Sequence, residues 1–416
     1  MFGKMEVCGI CVSMVALSAV NHLDAAVNKA ESARAVDALK VYLSTPSAQR
    51  KTISEQPFSK VPITKQHSAQ AANLLWADHA KRIRVERDKE MEDRVITLDD
   101  LKMRFIYKIY GDKPKNGRSL YISLHGGGGV PARANNSEWQ NQKVLYQPEE
   151  GIYLVPRAPT DTWNLWHQKH IDPMLRRLIE NLIVFEDVDP NRVYLNGYSA
   201  GGDGVYQLAP RMADSFAAAS MMAGHPNETK PVGLRNLPFS LHVGEKDSSY
   251  NRNKVAAEWK AQLAQLAADD PKGYVHWAKL YEGKAHWMGG EDAAALPWMA
   301  KFTRNRYPDR IVWRQDDVTH NRFYWLAVID DQKHNEFEVI ARYDGQRFDI
   351  DKSDPTSLKI LMNDEFVDLD QPVSVFVLGQ ERFSGRAARK IEVLARTLEE
   401  RGDPTYMFSA EITVSK

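Results

Sequence analysis

The sequence predicts an α/β protein, in which a mostly parallel sheet has helices on both faces, with a small β-rich domain at the C-terminus. Short apolar and β-branched runs recur along the middle of the chain, at 103–110, 120–124, 152–155, 193–195, 217–222, 239–243 and 275–281. Helical stretches separate several of these runs, and the clearest has apolar residues at i, i+3 and i+4 spacing over 175–183. This alternation is typical of a parallel sheet that is covered on both sides.

Changes in composition divide the chain into four segments. Residues 1–20 are apolar, and residues 21–94 are polar and helical, with one apolar face that includes Leu75 and Ile83. Residues 95–310 contain the alternating pattern, and we expect them to form the catalytic domain. Residues 311–416 contain further strand patterns and a hairpin signal at Gly379-Gln380, which predict an accessory domain.

Composition excludes several classes of protein. The chain has 416 residues, and its 55 basic residues balance 55 acidic ones, so no net field favours nucleic acid as a partner. The two cysteines, Cys8 and Cys11, are too few for a disulfide scaffold, and no second pair completes a zinc site.

The apolar run over 7–20 is too short to span a bilayer as a helix, so no membrane insertion is expected. Two interpretations remain open: a signal peptide over 1–20, which predicts export to the periplasm or the medium, or a buried N-terminal helix in a cytoplasmic protein.

A nucleophile is predicted where the 193–195 strand meets the next helix. The sequence there is Gly197-Tyr198-Ser199-Ala200-Gly201, a G-x-S-x-G pattern in the strand–turn–helix context that it requires. Small residues on both sides of Ser199 permit the sharp turn that exposes its hydroxyl. A serine needs a base and an oxyanion stabiliser to react.

Candidates for both partners follow other strands. Asp247 and His286 come after strand patterns in the order Ser, Asp, His, and Glu245 lies within reach of the same turn as Asp247. Four glycines follow His125, so we expect the backbone N–H groups of Gly127, Gly128 and Ala200 to form an oxyanion hole. A phosphate-binding loop would end in Lys-Ser/Thr, whereas Val130-Pro131 follows here.

These motifs resemble the α/β-hydrolase superfamily, and especially esterases similar to poly(3-hydroxybutyrate) depolymerases, feruloyl esterases and prolyl-oligopeptidase-like hydrolases. The resemblance covers about residues 95–308 and rests on the HGGGG and GYSAGG sequences, the Asp247 turn and His286. It implies a serine esterase that acts through an acyl-enzyme, without a cofactor or metal. Residues 223–237 leave little room for the large cap of a lidded lipase.

Aromatic residues near the predicted strand ends are candidates for binding the substrate. Trp163, Trp166 and Trp287 are expected to contact a small-molecule or oligomeric ester, with ordinary loop packing as the alternative. His225 is either a substrate contact or a structural histidine. Asp316, Asp317, His320 and His334 do not form a metal-ligand pattern.

Two alternatives to the esterase remain. One is a serine peptidase of the prolyl-oligopeptidase-like type, and the other is a non-catalytic binding protein on a hydrolase scaffold. The sequence leaves the oligomeric state open.

Overall fold

The computed structural model describes residues 27–329 and 332–416. The predicted signal peptide, Cys8 and Cys11 therefore lie outside the described residues. The main sheet has eight strands: Val95–Leu98 (β1), Leu101–Tyr110 (β2), Arg118–Leu124 (β3), Gly151–Pro156 (β4), Val188–Tyr198 (β5), Ala218–Met222 (β6), Phe239–Gly244 (β7) and His276–Tyr281 (β8). Their order is β1-β2-β4-β3-β5-β6-β7-β8, and β3 to β8 are parallel. This order is that of the α/β-hydrolase fold, which confirms the predicted fold class.

The described part of the chain contains eight α-helices: Lys29–Ser44 (α1), Lys65–Asp93 (α2), Ala132–Leu145 (α3), Ile171–Glu186 (α4), Ala200–Arg211 (α5), Arg252–Asp269 (α6), Ala295–Met299 (α7) and Ile391–Arg401 (α8). Both faces of the sheet are covered because neighbouring strand residues point to opposite sides. Leu120 and Ile122 of β3 pack with α4 and α5, whereas Tyr121 packs with α3 and α7 on the other face. None of the described helices combines the length and apolar character needed to cross a membrane.

The C-terminal segment forms two small sheets. Its strands are Arg310–Arg314 (β9), Arg322–Phe323 (β10), Leu326–Ala327 (β11), Glu338–Asp344 (β12), Arg347–Ser353 (β13), Ser357–Met362 (β14), Val373–Val377 (β15), Gln380–Gly385 (β16) and Ala410–Ser415 (β17). One sheet has the order β10-β11-β14-β17 and the other β16-β15-β13-β12-β9. The β15–β16 turn differs from the expected one by a residue. Leu378 and Gly379 both have positive φ and form it, and Gln380 already pairs with Val377.

The outer segments pack on the main sheet and its helices and on each other. Leu39 of α1 and Leu75 of α2 share an apolar cluster with Leu394 and Leu398 of α8. The largest apolar cluster runs without interruption from α4, α5 and the main sheet into the C-terminal sheets. Residues 27–94 and the described residues of the C-terminal segment, 311–329 and 332–416, thus form one layer, which lies against the helices on one side of the sheet.

Candidate active site

Ser199 sits at a strained turn between β5 and α5. Its φ of 58° and ψ of −122° are unusual for a residue with a side chain, and such strain is concentrated at functional sites. Glycine is required on both sides. A Cβ on Gly197 would lie 2.3 Å from the Gly201 carbonyl oxygen, and one on Gly201 would lie 2.0 Å from the Leu124 carbonyl oxygen. The small residues of the motif therefore allow the close backbone approach that the turn needs.

The structure brings the three predicted catalytic residues into one hydrogen-bonded line. His286 Nε2 lies 3.0 Å from Ser199 Oγ, and His286 Nδ1 lies 2.7 Å from Asp247 Oδ2. Asp247 follows β7 and is buried, whereas His286 follows β8 and remains partly exposed. Parallel strands end at the same edge of the sheet, so residues that are 48 and 39 positions apart in sequence converge there.

Glu245, the alternative acid, points elsewhere. Its Oε2 accepts the Gly283 N–H at 2.9 Å, and the side chain is exposed. The second oxygen of Asp247 faces Arg252 instead, with Oδ1 3.8 Å from the buried guanidinium Nη1. Arg252 was not among the sequence-predicted site residues, because a lone arginine at the start of a helix carries no signal of this role.

Tyr198 holds in place the loop that carries His286. Its hydroxyl donates to the His286 carbonyl oxygen at 2.6 Å and accepts the Met288 N–H at 3.3 Å. Burial raises the pKa of this phenol, so it stays protonated and keeps its donor. Sequence reasoning missed Tyr198 although it lies inside the G-x-S-x-G motif, since only the fold shows which loop its hydroxyl reaches.

The four glycines of residues 126–129, here called the glycine loop, lie against the turn at Ser199. A Cβ on Gly126 would be 3.2 Å from Ser199 Cβ, and one on Gly128 would be 3.8 Å from Ala200 Cβ. Gly127 and Gly128 have φ of 111° and 101°, which favour glycine. Ala200 is the first residue of α5, so its N–H has no acceptor within the helix.

The structure changes the prediction for Gly128. Its N–H donates to Asn135 Oδ1 at 3.0 Å, so it is already occupied. Asn135 is buried and is held in turn by Nδ2 hydrogen bonds to the Val130 carbonyl oxygen and to Asp161. Of the predicted oxyanion donors, only the N–H groups of Gly127 and Ala200 lie in this loop and turn without such a partner in the described structure. Asn135 escaped the sequence analysis because nothing in its helix distinguishes it from a surface asparagine.

His125 supports the glycine loop through two hydrogen bonds of its ring. Its Nδ1 donates to the Gly126 carbonyl oxygen at 2.6 Å, and its Nε2 accepts the Ala158 N–H at 3.1 Å. Burial lowers the pKa of His125 to about 4, so the ring is neutral and accepts this hydrogen bond at ordinary pH.

The predicted aromatic residues separate into two kinds. Trp163 and Trp287 are 64% and 56% exposed; Trp163 contacts the glycine loop at Gly128 and Gly129, and Trp287 packs beside Tyr198. Trp166 is fully buried, and its indole N–H donates to the His125 carbonyl oxygen at 2.9 Å. Trp166 is therefore wrong as a substrate contact, because it supports the glycine loop from the core.

His225 is half-buried on the loop after β6. Its backbone N–H donates to Asp203 Oδ1 at 2.6 Å, while its ring Nδ1 accepts the Asn227 N–H at 3.0 Å. These contacts organise the loop, and a role in binding substrate stays a prediction. Asp203 is a largely enclosed acid beside this loop, and burial raises its pKa to about 6.

One cluster of carboxylates lies away from this site. Glu228, Asp316 and Asp317 place oxygens within 4.8 Å of one another among the described residues. Burial and the neighbouring Asp317 raise the pKa of Asp316 to about 6. Acidic crowding alone does not define a metal site, and we assign it no function.

Comparison with known proteins gives distant relatives. No family model matches the chain. The bifunctional acetylxylan esterase/xylanase XynS20E of Neocallimastix patriciarum is 28% identical over 140 residues, which are 33% of this chain and 20% of that protein. The chain thus spans about a fifth of the length of this relative.

Among solved structures, a thermostable esterase aligns at 18% identity and a TM-score of 0.41, covering 50% of this chain and 62% of that one. A ferulic acid esterase aligns at 14% identity and a TM-score of 0.33, covering 50% and 95%. Poly(aspartic acid) hydrolase-1 from Sphingomonas sp. KT-1 aligns at 13% identity and a TM-score of 0.37, covering 49% and 96%.

Proposed function

We propose that this protein hydrolyses carboxylic esters through an acyl-enzyme intermediate. The observation that carries the proposal is the hydrogen-bonded line from buried Asp247 through His286 to Ser199, which ends at a strained turn. A nucleophile that touches its base, with the base oriented by a third group, is the arrangement that activates a serine hydroxyl.

In this mechanism, Ser199 Oγ attacks the ester carbonyl carbon while His286 Nε2 takes the hydroxyl proton. Asp247 accepts the Nδ1 hydrogen bond, which selects the tautomer with a free Nε2 and stabilises the imidazolium that forms. His286 then returns the proton to the departing alcohol. Water, deprotonated by the same histidine, then attacks the acyl-Ser199 carbonyl carbon. The bond from that carbon to Ser199 Oγ breaks, His286 returns the proton to Oγ, and the acid leaves.

The negative charge on the carbonyl oxygen needs fixed donors. The N–H groups of Gly127 and Ala200 supply them in this proposal, and removing one such donor typically costs about 10²–10³ in kcat. Asn135 serves by holding the loop through Gly128 rather than by contacting the oxyanion.

Exposed Trp163 and Trp287 suit an apolar or sugar-bearing group of the substrate. The loop between β6 and β7 contains one short 3₁₀ turn, Pro231–Leu234, and no cap domain, which favours soluble esters. The curated relative is named as an acetylxylan esterase, so acetylated sugars are the first natural substrates to test.

The test is the rate of p-nitrophenyl acetate hydrolysis by Ser199→Ala, with Ser248→Ala as the matched control. Ser248 is an exposed serine next to Asp247, so its substitution should leave the rate within about twofold. Ser199→Ala should lose at least about 10⁴ of the rate. Residual activity above a tenth of wild type contradicts the proposal, and faster cleavage of an aminoacyl p-nitroanilide would identify a peptidase instead.

A further inference from the structure

A second polar cavity lies where the catalytic domain meets the C-terminal segment. It measures about 40 Å³, and its charged and aromatic lining consists of Arg176, Arg304, Arg401, Asp214, Asp403 and Tyr406. Pro190, near the start of β5, also lines it, whereas Ser199 follows the end of the same strand. The cavity is therefore at the opposite edge of the sheet from the proposed active site.

Positive charge exceeds negative charge in this cavity. Arg401 Nη1 pairs with Asp214 Oδ2 at 3.2 Å, and Arg304 pairs with Asp403. Each of these two carboxylates is therefore paired with one arginine. Arg176 is the third arginine that lines the cavity, and among the described residues no third carboxylate lines it. In the described part of the chain, Arg176 makes neither a hydrogen bond nor an ion pair within 4.0 Å; it acts at longer range on Asp214, which already pairs with Arg401, so three guanidinium groups share two carboxylates in this cavity.

A further arginine adds to this excess. Arg322 is buried close to Asp214, and burial together with the charges of Arg176 and Arg401 lowers its pKa to about 9. Burial is the largest cause of this fall, and the guanidinium groups of Arg176 and Arg401 add to it, so positive charge is crowded at this position.

We call the contact between the catalytic domain and the C-terminal segment the seam. Several buried hydrogen-bond donors at this seam also lack acceptors. Arg401 Nε, Arg322 Nε and the Tyr406 hydroxyl are all buried and without a hydrogen-bond partner in the described structure. Two cations lie over the Tyr406 ring, with the Arg304 and Arg401 guanidinium carbons 4.9 and 4.1 Å from its centroid. Buried donors are rarely left unpaired, so these point to a ligand that accepts hydrogen bonds.

The volume of the cavity indicates which class of ligand it can hold. One water needs about 10–15 Å³, so this cavity holds about three or four water-sized groups, as many as the oxygens of a tetrahedral oxyanion. Guanidinium groups bind such oxyanions well, because their N–H donors match the spacing of the oxygens.

We propose that this cavity binds one tetrahedral oxyanion, phosphate or sulfate, which neutralises Arg176 and fastens the C-terminal segment to the catalytic domain. The anion would accept hydrogen bonds from Arg176, Arg401 and Tyr406. Because the cavity is remote from Ser199, binding changes stability and leaves ester hydrolysis unaltered. This role does not depend on the proposed esterase activity.

The experiment is calorimetric titration of the full chain with phosphate and, separately, with sulfate, at constant ionic strength in chloride. We expect saturable binding at one site per chain, and a melting temperature that rises until the site is full. Arg176→Gln should weaken binding at least tenfold. The matched control is Arg177→Gln on the same helix, whose guanidinium is held by Glu90, and it should bind as wild type does.

Tyr406→Phe provides a second variant that removes one donor while keeping the ring, and it should weaken binding several-fold. Circular dichroism verifies that each variant is folded. Absence of saturable binding by both anions, or equal weakening in Arg176→Gln and Arg177→Gln, overturns the proposal. A melting temperature that rises with sulfate without saturation, and equally in both arginine variants, shows general salting-out and overturns it too.

Discussion

The proposed active site and the seam between the main domain and the C-terminal segment use buried charge in different ways. At the edge that carries Ser199, buried Asp247 is joined to a partly exposed histidine through one short hydrogen bond, so a proton can move. At the seam with the C-terminal segment, Asp172 is enclosed between Arg211 at 2.6 Å and His320 at 2.8 Å, and all three side chains are largely buried. In our proposal the first arrangement orients a reacting group, whereas the second fastens two parts of the chain together.

The largest expected effect is at the catalytic edge. His286→Ala should reduce kcat for ester hydrolysis by several orders of magnitude, and the Ser199→Ala/His286→Ala double variant should be hardly worse, because the residues act as a unit. Steady-state rates on p-nitrophenyl acetate measure this. Asp247→Asn should also be severe, while Glu245→Gln, the matched acid two residues away, should be nearly silent; a severe loss in Glu245→Gln alone would show that the acid is misassigned.

At the seam, Asp172→Asn should leave activity intact and lower stability. Removing one partner of a buried ion pair leaves an uncompensated charge and costs about 3–5 kcal/mol. Urea unfolding followed by circular dichroism gives the free energy of unfolding. The control, Asp37→Asn, breaks the exposed pair with Lys40 and should not change the midpoint measurably. Equal midpoints for Asp172→Asn and wild type would mean that the seam does not depend on this pair.

The pH dependence of stability tests the same contrast between the proposed active site and the seam, and Asp203 is the group that makes this test possible. Burial raises its pKa to about 6 in the folded chain, above the unfolded value near 3.9. Its contribution to stability is therefore complete below pH 4 and is lost as the pH rises past 6.

Asp203→Asn retains an oxygen for the His225 N–H but cannot ionise. Relative to wild type, it should gain up to about 3 kcal/mol in free energy of unfolding at pH 8 and much less at pH 4.5. Asp172 has its pKa lowered to about 2, since Arg211 and His320 outweigh the effect of burial. The loss in Asp172→Asn should accordingly be similar at both pH values. A gain in Asp203→Asn that does not grow with pH would refute the assignment.

The smallest effect is expected at exposed Trp163 and Trp287, which we call the aromatic rim. Trp163→Ala should raise KM for aryl esters several-fold with little change in kcat, because in our proposal exposed Trp163 contacts bound substrate and not the reacting atoms. Trp166→Ala, three residues along, should instead lose about 3–5 kcal/mol of stability, since that side chain is fully buried. If Trp163→Ala leaves KM unchanged for every ester tested, the rim does not bind substrate.

Much of the catalytic edge could be predicted from the sequence. The parallel strands are nearly continuous apolar runs, and the turn at Ser199 requires glycines whose spacing is fixed by sterics. Once strands are placed, residues that follow them must meet at one edge, which is why the sequence could predict that Asp247 and His286 lie near Ser199.

Other features depend on tertiary contacts that leave no local pattern. The capture of the Gly128 N–H by Asn135 and the burial of Trp166 depend on how loops pack over one another. Helix α8 lies in a region that gave only strand signals to the sequence analysis, and its apolar face has a partner only because α1 and α2 cover it. The arginine-rich seam unites residues more than 200 positions apart, such as Arg176 and Tyr406, so no spacing rule reveals it.

The most direct test of the central claim is covalent labelling with a fluorophosphonate probe, followed by intact mass spectrometry and peptide mapping. The folded wild-type chain should gain one probe mass on the peptide that contains Ser199, and neither Ser199→Ala nor the urea-unfolded chain should react. Absence of label on the folded wild type, or label on another serine, would contradict the assignment of Ser199 as an activated nucleophile.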